Sequence, residues 1–167
     1  MIFWKNWPYS WKMVLAFLLF FGATLGFARF RANLSHPRIS FESLSVQPTD
    51  VKAWEGKPKI VYFWATWCTV CKTYSYILNQ NLKLLDEQMV FLSVVEDEPG
   101  KEFDSYIAHN PIHYPVYHGS YSLLQDWGVS AFPTTVFLNS HGEVVFYDTG
   151  IISPLSFWLR SLLTKVL

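Results

Sequence analysis

Ile60-Val-Tyr-Phe-Trp-Ala-Thr-Trp-Cys-Thr-Val-Cys-Lys72 is the stretch from which the rest of the chain can be read. It opens as an apolar run rich in β-branched and aromatic residues, the composition of a buried strand. It breaks at Ala65-Thr66-Trp67, passes through Cys68-Thr69-Val70-Cys71, and continues into a segment with helical spacing. The chain holds 2 cysteines, and both lie in this motif. A Cys-x-x-Cys pair at a strand-to-helix junction suits dithiol/disulfide exchange. The first thiol sits at a helix N-terminus, where unpaired N–H groups and the helix dipole favour thiolate, and the second lies one turn on, within reach. Cys68 is therefore the candidate nucleophile and Cys71 the candidate resolving thiol of a mixed disulfide. Trp64 and Trp67 are expected beneath and beside the pair.

Other uses of two cysteines fit less well. A zinc site needs partners, and His109 and His113 have metal-like spacing. They follow Cys71 by far more than a zinc-finger interval and fall where Asn110-Pro111 ends a helix. His36, His118 and His141 read as surface or loop residues. Inert packing of the thiols as small apolar groups is the remaining reading. No metal and no cofactor is called for. With Lys+Arg at 13 and Asp+Glu at 13, the formal charge is zero and no basic block stands out, which argues against a nucleic-acid partner.

Upstream, Met13–Ala28 is an uncharged apolar run bounded by Lys12 and Arg29. Extended to its edges it reaches the roughly 17 residues that a membrane helix needs. Trp4, Trp7, Tyr9 and Trp11 precede it, and such amphipathic rings favour the membrane–water interface. A cleavable signal ending at Gly26-Phe27-Ala28 is the alternative, though the run is long for one and Arg29 is a poor neighbour for a cleavage site. The expectation is an uncleaved anchor: residues 1–12 on the cytoplasmic side, 13–30 in the lipid bilayer, 31–48 as linker and 49–167 as the folded domain. Basic residues flank both ends, so the charge rule gives no clear orientation. A single pass that exports the domain is adopted because a short N-terminal segment before an anchor usually leaves the chain beyond that anchor exported.

Downstream of the linker, which carries a possible strand at Ile39–Leu44, a helical turn from Thr49 to Trp54 opens the domain and the pattern then alternates. Strand Lys59–Trp64 is followed by a helix over Thr69–Asp86, with Val70, Tyr74, Ile77, Leu78, Leu82 and Leu85 on one face. Strand Met89–Val95 leads to a turn at Glu96–Gly100 and a helix over Lys101–His109. A short strand at Tyr114–Tyr117 precedes a helix over Ser122–Trp127. Strand Thr134–Leu138, a turn at Asn139–Gly142 and strand Glu143–Tyr147 form a hairpin. A last helix opens with Ser153-Pro154 as cap and first position. The order predicts an α/β domain: a central mixed sheet with parallel crossovers, flanked by helices and closed by an antiparallel hairpin. Phe132-Pro133 stands just before a strand, where an X-Pro bond is either trans or, in a tight turn, cis.

Phe63–Lys72 together with Trp127-Gly-Val-Ser-Ala-Phe-Pro-Thr-Thr-Val-Phe-Leu138 resembles the thioredoxin superfamily. More narrowly it resembles the membrane-anchored TlpA/ResA/DsbE-like branch, and most of all the suppressor-of-copper-sensitivity D type. The likeness runs from about Pro48 to Leu167. It implies a thioredoxin-like fold for 49–167, Cys68 as nucleophile and Cys71 as resolving thiol. It also implies Pro133 as a cis-proline facing the disulfide, with Phe132 against substrate backbone; Trp67, beside the pair, is expected to shape the partner's approach. Thr69-Val70 replaces the Gly-Pro of thioredoxins, and this dipeptide tunes thiolate stability. Tyr62 stands six positions before Cys68, where thioredoxins bury an acid, and is a weak substitute as proton acceptor for Cys71. Tyr76 stands where many relatives kink the helix with proline. The glutamates that tune the cytochrome-maturation relatives have no clear match around the site.

The resulting expectation is a thiol–disulfide oxidoreductase anchored in a bacterial inner membrane with its domain in the periplasm. It would exchange disulfides with exported proteins, in the reducing direction, fed by a membrane thiol-electron transporter. Cytochrome c biogenesis and copper tolerance are the settings the resemblance implies. The reading from another class is a non-enzymatic holdase or copper-binding module of the same fold.

Overall fold

The computed structural model describes residues 9–35, 53–110 and 112–167. The apolar run lies in helix α1, Tyr9–Ser35, 27 residues long. It passes both ends of the expected 13–30 span, because no proline stands between Tyr9 and Ser35 to stop it. The side chains of Tyr9, Ser10, Leu25 and of 27–35 lie outside the described ones. Among the described residues no helix is long and apolar enough to cross a membrane. Residues 36–52, which include the possible strand at Ile39–Leu44 and the start of the turn at Thr49, lie outside the described residues.

Strands β1 (Lys59–Trp64), β2 (Val90–Val95), β3 (Val116–His118), β4 (Thr134–Leu138) and β5 (Val144–Thr149) form one sheet in the order β3-β2-β1-β4-β5. β1 is parallel to β2, and β2 to β3; β4 is antiparallel to β1, and β5 to β4. Every residue of β1 is buried. A central strand covered on both faces needs apolar side chains on both, which is why its sequence is a continuous run rather than an alternation. Ile60, Tyr62 and Trp64 face one core, with Tyr74 and Leu78 of α2 (Thr69–Asn81), Phe103 and Ile107 of α3 (Lys101–His109) and Phe157 of α5 (Pro154–Val166). Val61 and Phe63 face the other, with Leu123 and Leu124 of α4 (Tyr121–Asp126) and Trp127.

Several boundaries differ from expectation, three of them for reasons the contacts show. The helix expected to reach Asp86 ends at Asn81 and gives way to a 3-10 turn at Leu82–Leu84. Asn79-Gln80-Asn81 is a poor helix end, and Asn79 Oδ1 turns instead to accept the His113 N–H at 3.1 Å. Leu82 and Leu85 still reach the core from the tighter turn, so their spacing imitated a continuing helix. β3 begins after Tyr114, whose ring is drawn into the core and donates from Oη to Ser75 Oγ at 2.9 Å. β5 begins at Val144 because Asn139 organises the turn, its Oδ1 accepting from the N–H groups of His141 and Glu143 at 3.0 and 2.9 Å. Gly142, at φ +78°, supplies the left-handed position there.

Candidate redox site

β1 delivers the chain to the sheet's C-terminal edge at Trp64, and a short loop later Cys68 caps α2. Its backbone is extended (φ −80°, ψ 104°), and its Sγ accepts the Cys71 N–H at 3.1 Å. A cysteine in this position presents its sulfur to an unpaired amide at the positive end of the helix, which favours the thiolate once the pair is reduced. Cys68 and Cys71 form a disulfide with Cα atoms 5.2 Å apart. Cys68 is 7% exposed and Cys71 fully buried. Of the two, only Cys68 reaches the surface at all. Thr69 and Val70 sit in the first turn, both exposed. Lys72 points away, its Nζ 5.5 Å from the centroid of the Tyr106 ring.

The loop before Cys68 is latched from the neighbouring strand. Asp97, just past β2, accepts the Thr66 N–H at 2.8 Å and the Thr66 hydroxyl at 2.5 Å. The Asp97 carbonyl lies 2.6 Å from His118 Nδ1 on β3. Asp97 reads as part of an acidic turn in the sequence, with nothing to mark it as a latch. Among the described residues no group of three or more His, Cys, Asp or Glu is placed to hold a metal.

On the other side, the Phe132–Pro133 peptide is cis. The β1–β4 register pairs Phe63 with Thr134, which puts Pro133 at the level of Trp64, where the cysteine loop begins. Gly150 N–H donates to the Pro133 carbonyl at 2.7 Å, and the Thr134 hydroxyl donates to the Ala131 carbonyl at 2.7 Å, fixing the turn from both sides. Phe132 meets Trp67 edge to face, centroids 5.7 Å apart. Trp67 is 69% exposed, and its indole N–H donates to Glu96 Oε2 at 3.2 Å. The sheet brings Glu96 to Trp67 from 29 residues away, a contact that sequence spacing does not reveal. Trp67, Glu96, Tyr121, Val129 and Phe132 line a pocket of about 690 Å³.

Beneath the pair, Trp64 is fully buried and donates from Nε1 to Ser93 Oγ at 3.1 Å. Tyr62 is also fully buried and packs edge to face on Tyr74, at 5.6 Å, and on Tyr114, at 6.2 Å. Burial, reinforced by neighbouring tyrosines, pushes its hydroxyl far above the ordinary range.

The Redoxin family profile matches residues 32–155. The chain is similar to the thiol-disulfide oxidoreductase ResA of Halalkalibacterium halodurans, 25% identical over 122 residues that cover 72% of this chain and 69% of the relative. It is similar to the thiol:disulfide interchange protein DsbE of Pseudomonas fluorescens biotype C, 28% identical over 66% of this chain and 61% of the relative. The structure of StoA from Bacillus subtilis superposes with a TM-score of 0.59 at 19% identity, covering 64% of this chain and 84% of that one.

Proposed function

Because the chain belongs to the Redoxin family, within the thioredoxin superfamily, we propose that it is a membrane-anchored thiol–disulfide oxidoreductase that reduces disulfides in exported proteins. One observation carries the chemistry: an oxidised Cys68–Cys71 pair at a helix N-terminus, in a chain whose Phe132–Pro133 bond is cis. In the reduced protein the Cys68 thiolate attacks one sulfur of a substrate disulfide. That S–S bond breaks, one substrate thiolate leaves, and a Cys68–substrate mixed disulfide forms. Cys71 loses its proton and attacks Cys68 Sγ, releasing the second substrate thiolate and closing the Cys68–Cys71 disulfide. Two electrons pass to the substrate, and a membrane thiol-electron transporter restores the dithiol.

In this reading Trp67, Phe132 and Pro133 seat the partner's backbone, and Thr69, Val70 and Tyr62 set how readily the thiols ionise. Residues 13–30 are the anchor of a single pass through a bacterial inner membrane, with the domain in the periplasm. The support is energetic: Phe17, Leu18, Leu19 and Phe20 of α1 are all more than half exposed, and each such side chain gains about 1.5–3 kcal/mol when removed from water. Exported apocytochromes and copper-tolerance factors are the proposed substrate class.

A Cys71→Ser variant tests the proposal. It should accumulate Cys68-linked mixed disulfides whose partners are exported proteins. Absence of any adduct, with metal co-purifying stoichiometrically, would replace the redox reading with a metal-binding module. A reporter fused after Leu167 that works only in the cytoplasm would overturn the topology.

A further inference from the structure

Glu96 is bound to the loop that carries the cysteines. β1 and β2 run parallel with Trp64 opposite Val95, so Glu96 emerges beside the start of that loop. Its N–H donates to the Trp64 carbonyl at 2.9 Å, and its Oε2 accepts the Trp67 indole N–H at 3.2 Å. Trp67 in turn is joined directly to Cys68. Asp97, the next residue, has its carboxylate engaged by the N–H and hydroxyl of Thr66. Glu96 has no comparable charge partner. The ion pairs among the described residues are Arg160–Asp148 and Lys165–Asp86, and neither involves it.

The carboxylate lines the pocket of about 690 Å³ described above, and it is the only charged side chain there; no Lys, Arg or His joins it. Three aromatic rings stand around the same hollow. Trp67 and Tyr121 are 69% and 72% exposed, and the partly buried Phe132 meets Trp67 edge to face. Rings left in water add little to the core. Around a single carboxylate they suit a cation, because a ring face attracts an ammonium or guanidinium group. The side of the pocket that follows α4 is set before any partner arrives. Val129 N–H donates to the Leu124 carbonyl at 2.8 Å, Tyr147 Oη donates to the Gly128 carbonyl at 2.8 Å, and Leu124 itself is buried. A wall fixed in advance loses less freedom on binding.

We propose that this pocket is a cation subsite: it takes the lysine or arginine side chain of a residue flanking the disulfide cysteine of an exported protein. Glu96 is the counter-ion, and Trp67, Tyr121 and Phe132 are the aromatic walls. The assignment rests on the thiol-exchange reading above and adds to it the charge of the partner. Two of the walls are the residues joined to Cys68 and to Pro133. The Trp67 and Cys68 Cα atoms are therefore about 3.8 Å apart, and an extended partner advances about 3.3–3.6 Å per residue. A side chain as long as lysine's reaches the pocket from within two residues of the cysteine bonded to Cys68. An acidic residue at the same place meets Glu96 as a like charge and is rejected.

A purely positioning role for Glu96, holding the Trp67 ring in place, would need its oxygen and not its charge. Glu96→Gln separates the two, since the amide keeps an acceptor for the indole N–H and carries no charge.

The test uses the reduced full-length protein and synthetic peptides, each closed by one intramolecular disulfide. The peptides differ only in carrying Lys or Glu at one of the two positions on either side of a cysteine. Acid quenching and thiol alkylation give the second-order rate constant for each. At one of these positions the Lys peptide should react roughly tenfold faster than its Glu counterpart at low salt. The ratio should shrink toward one at an ionic strength of about 1 M, where screening acts within about 3 Å. Glu96→Gln should bring the ratio close to one, and Glu96→Lys should invert it. Glu98→Gln, which removes an exposed acid outside the pocket, should keep the full ratio. A wild-type ratio near one at every position, a ratio that survives in Glu96→Gln, or one that Glu98→Gln abolishes equally overturns the subsite. Failure to react with any peptide or with the uncharged bis(2-hydroxyethyl) disulfide overturns the thiol-exchange reading instead.

Discussion

Trp67 and Phe132 touch edge to face, with ring centroids 5.7 Å apart, although they lie on separate loops far apart in the chain. One precedes the accessible cysteine and the other precedes the cis-proline, so the contact ties the two halves of the proposed substrate cleft. Trp67 is mostly exposed, and its ring contributes little to the core.

Trp67→Ala should therefore separate binding from folding. An aromatic pair contributes about 0.5–1.5 kcal/mol, less when exposed, so the unfolding midpoint should barely move. The kcat/KM for a protein disulfide should fall by roughly tenfold, since about 1.36 kcal/mol of lost transition-state contact corresponds to a factor of ten. Reduction of glutathione disulfide, too small to span the cleft, should change much less. Equal losses on both substrates would show that Trp67 tunes the thiols rather than the partner.

Gly119 closes the turn after β3, where its N–H donates to the Val95 carbonyl at 2.8 Å. A Cβ added there would stand 2.5 Å from Val94 Cγ1 and 3.2 Å from Leu123 Cδ2. Val94 is β-branched and fully buried, so it has no free rotamer into which to retreat. Gly119→Ala should cost about 1–3 kcal/mol, as overpacking usually does, read as a lowered denaturation midpoint with the disulfide intact. An unchanged midpoint would mean that β3 shifts freely on β2.

How much of this was legible in the sequence depends on distance along the chain. The strand, the disulfide pair and the helix after it are contiguous, so composition and spacing sufficed. The hairpin was legible because Asn139 and Gly142 carry their turn chemistry locally. The Asp97 latch and the Glu96 contact were not. Each depends on strand register, and a register aligns residues that no local pattern connects. The end of α2 was misread for a different reason: Leu82 and Leu85 keep a helical interval while the backbone tightens into a 3-10 turn.

Two aspartates should give opposite slopes to acid stability. Between the ordinary value of 3.8 and its raised native one, folded Asp148 holds a proton that the unfolded chain has released. Stability should therefore fall as pH rises through that window. Asp86 runs the other way, because its hydrogen bond from Lys165 Nζ, at 2.6 Å, lowers it below 3.8. Its contribution is complete above 3.8 and is lost as pH falls through the lowered value. Denaturation midpoints of Asp148→Asn and Asp86→Asn across the acid range should each flatten one of these slopes. Curves parallel to the unmodified protein would remove both assignments.

The most damaging conservative change should be at Trp64. Its indole is fully buried, and its N–H is the donor to Ser93 Oγ at 3.1 Å, beneath the disulfide and across the β1–β2 pair. Trp64→Phe keeps an aromatic ring but removes that donor and part of the volume, leaving the buried Ser93 hydroxyl without its partner. The orphaned hydroxyl alone should cost about 1–3 kcal/mol. Trp64→Phe combined with Ser93→Ala removes both polar partners and should recover part of the loss, because no buried polar atom is then left unpaired. Denaturation of the four proteins, each with the disulfide closed, measures the coupling. If the double variant is no more stable than the sum of the two single effects predicts, the contact is incidental and Trp64 acts only by filling space.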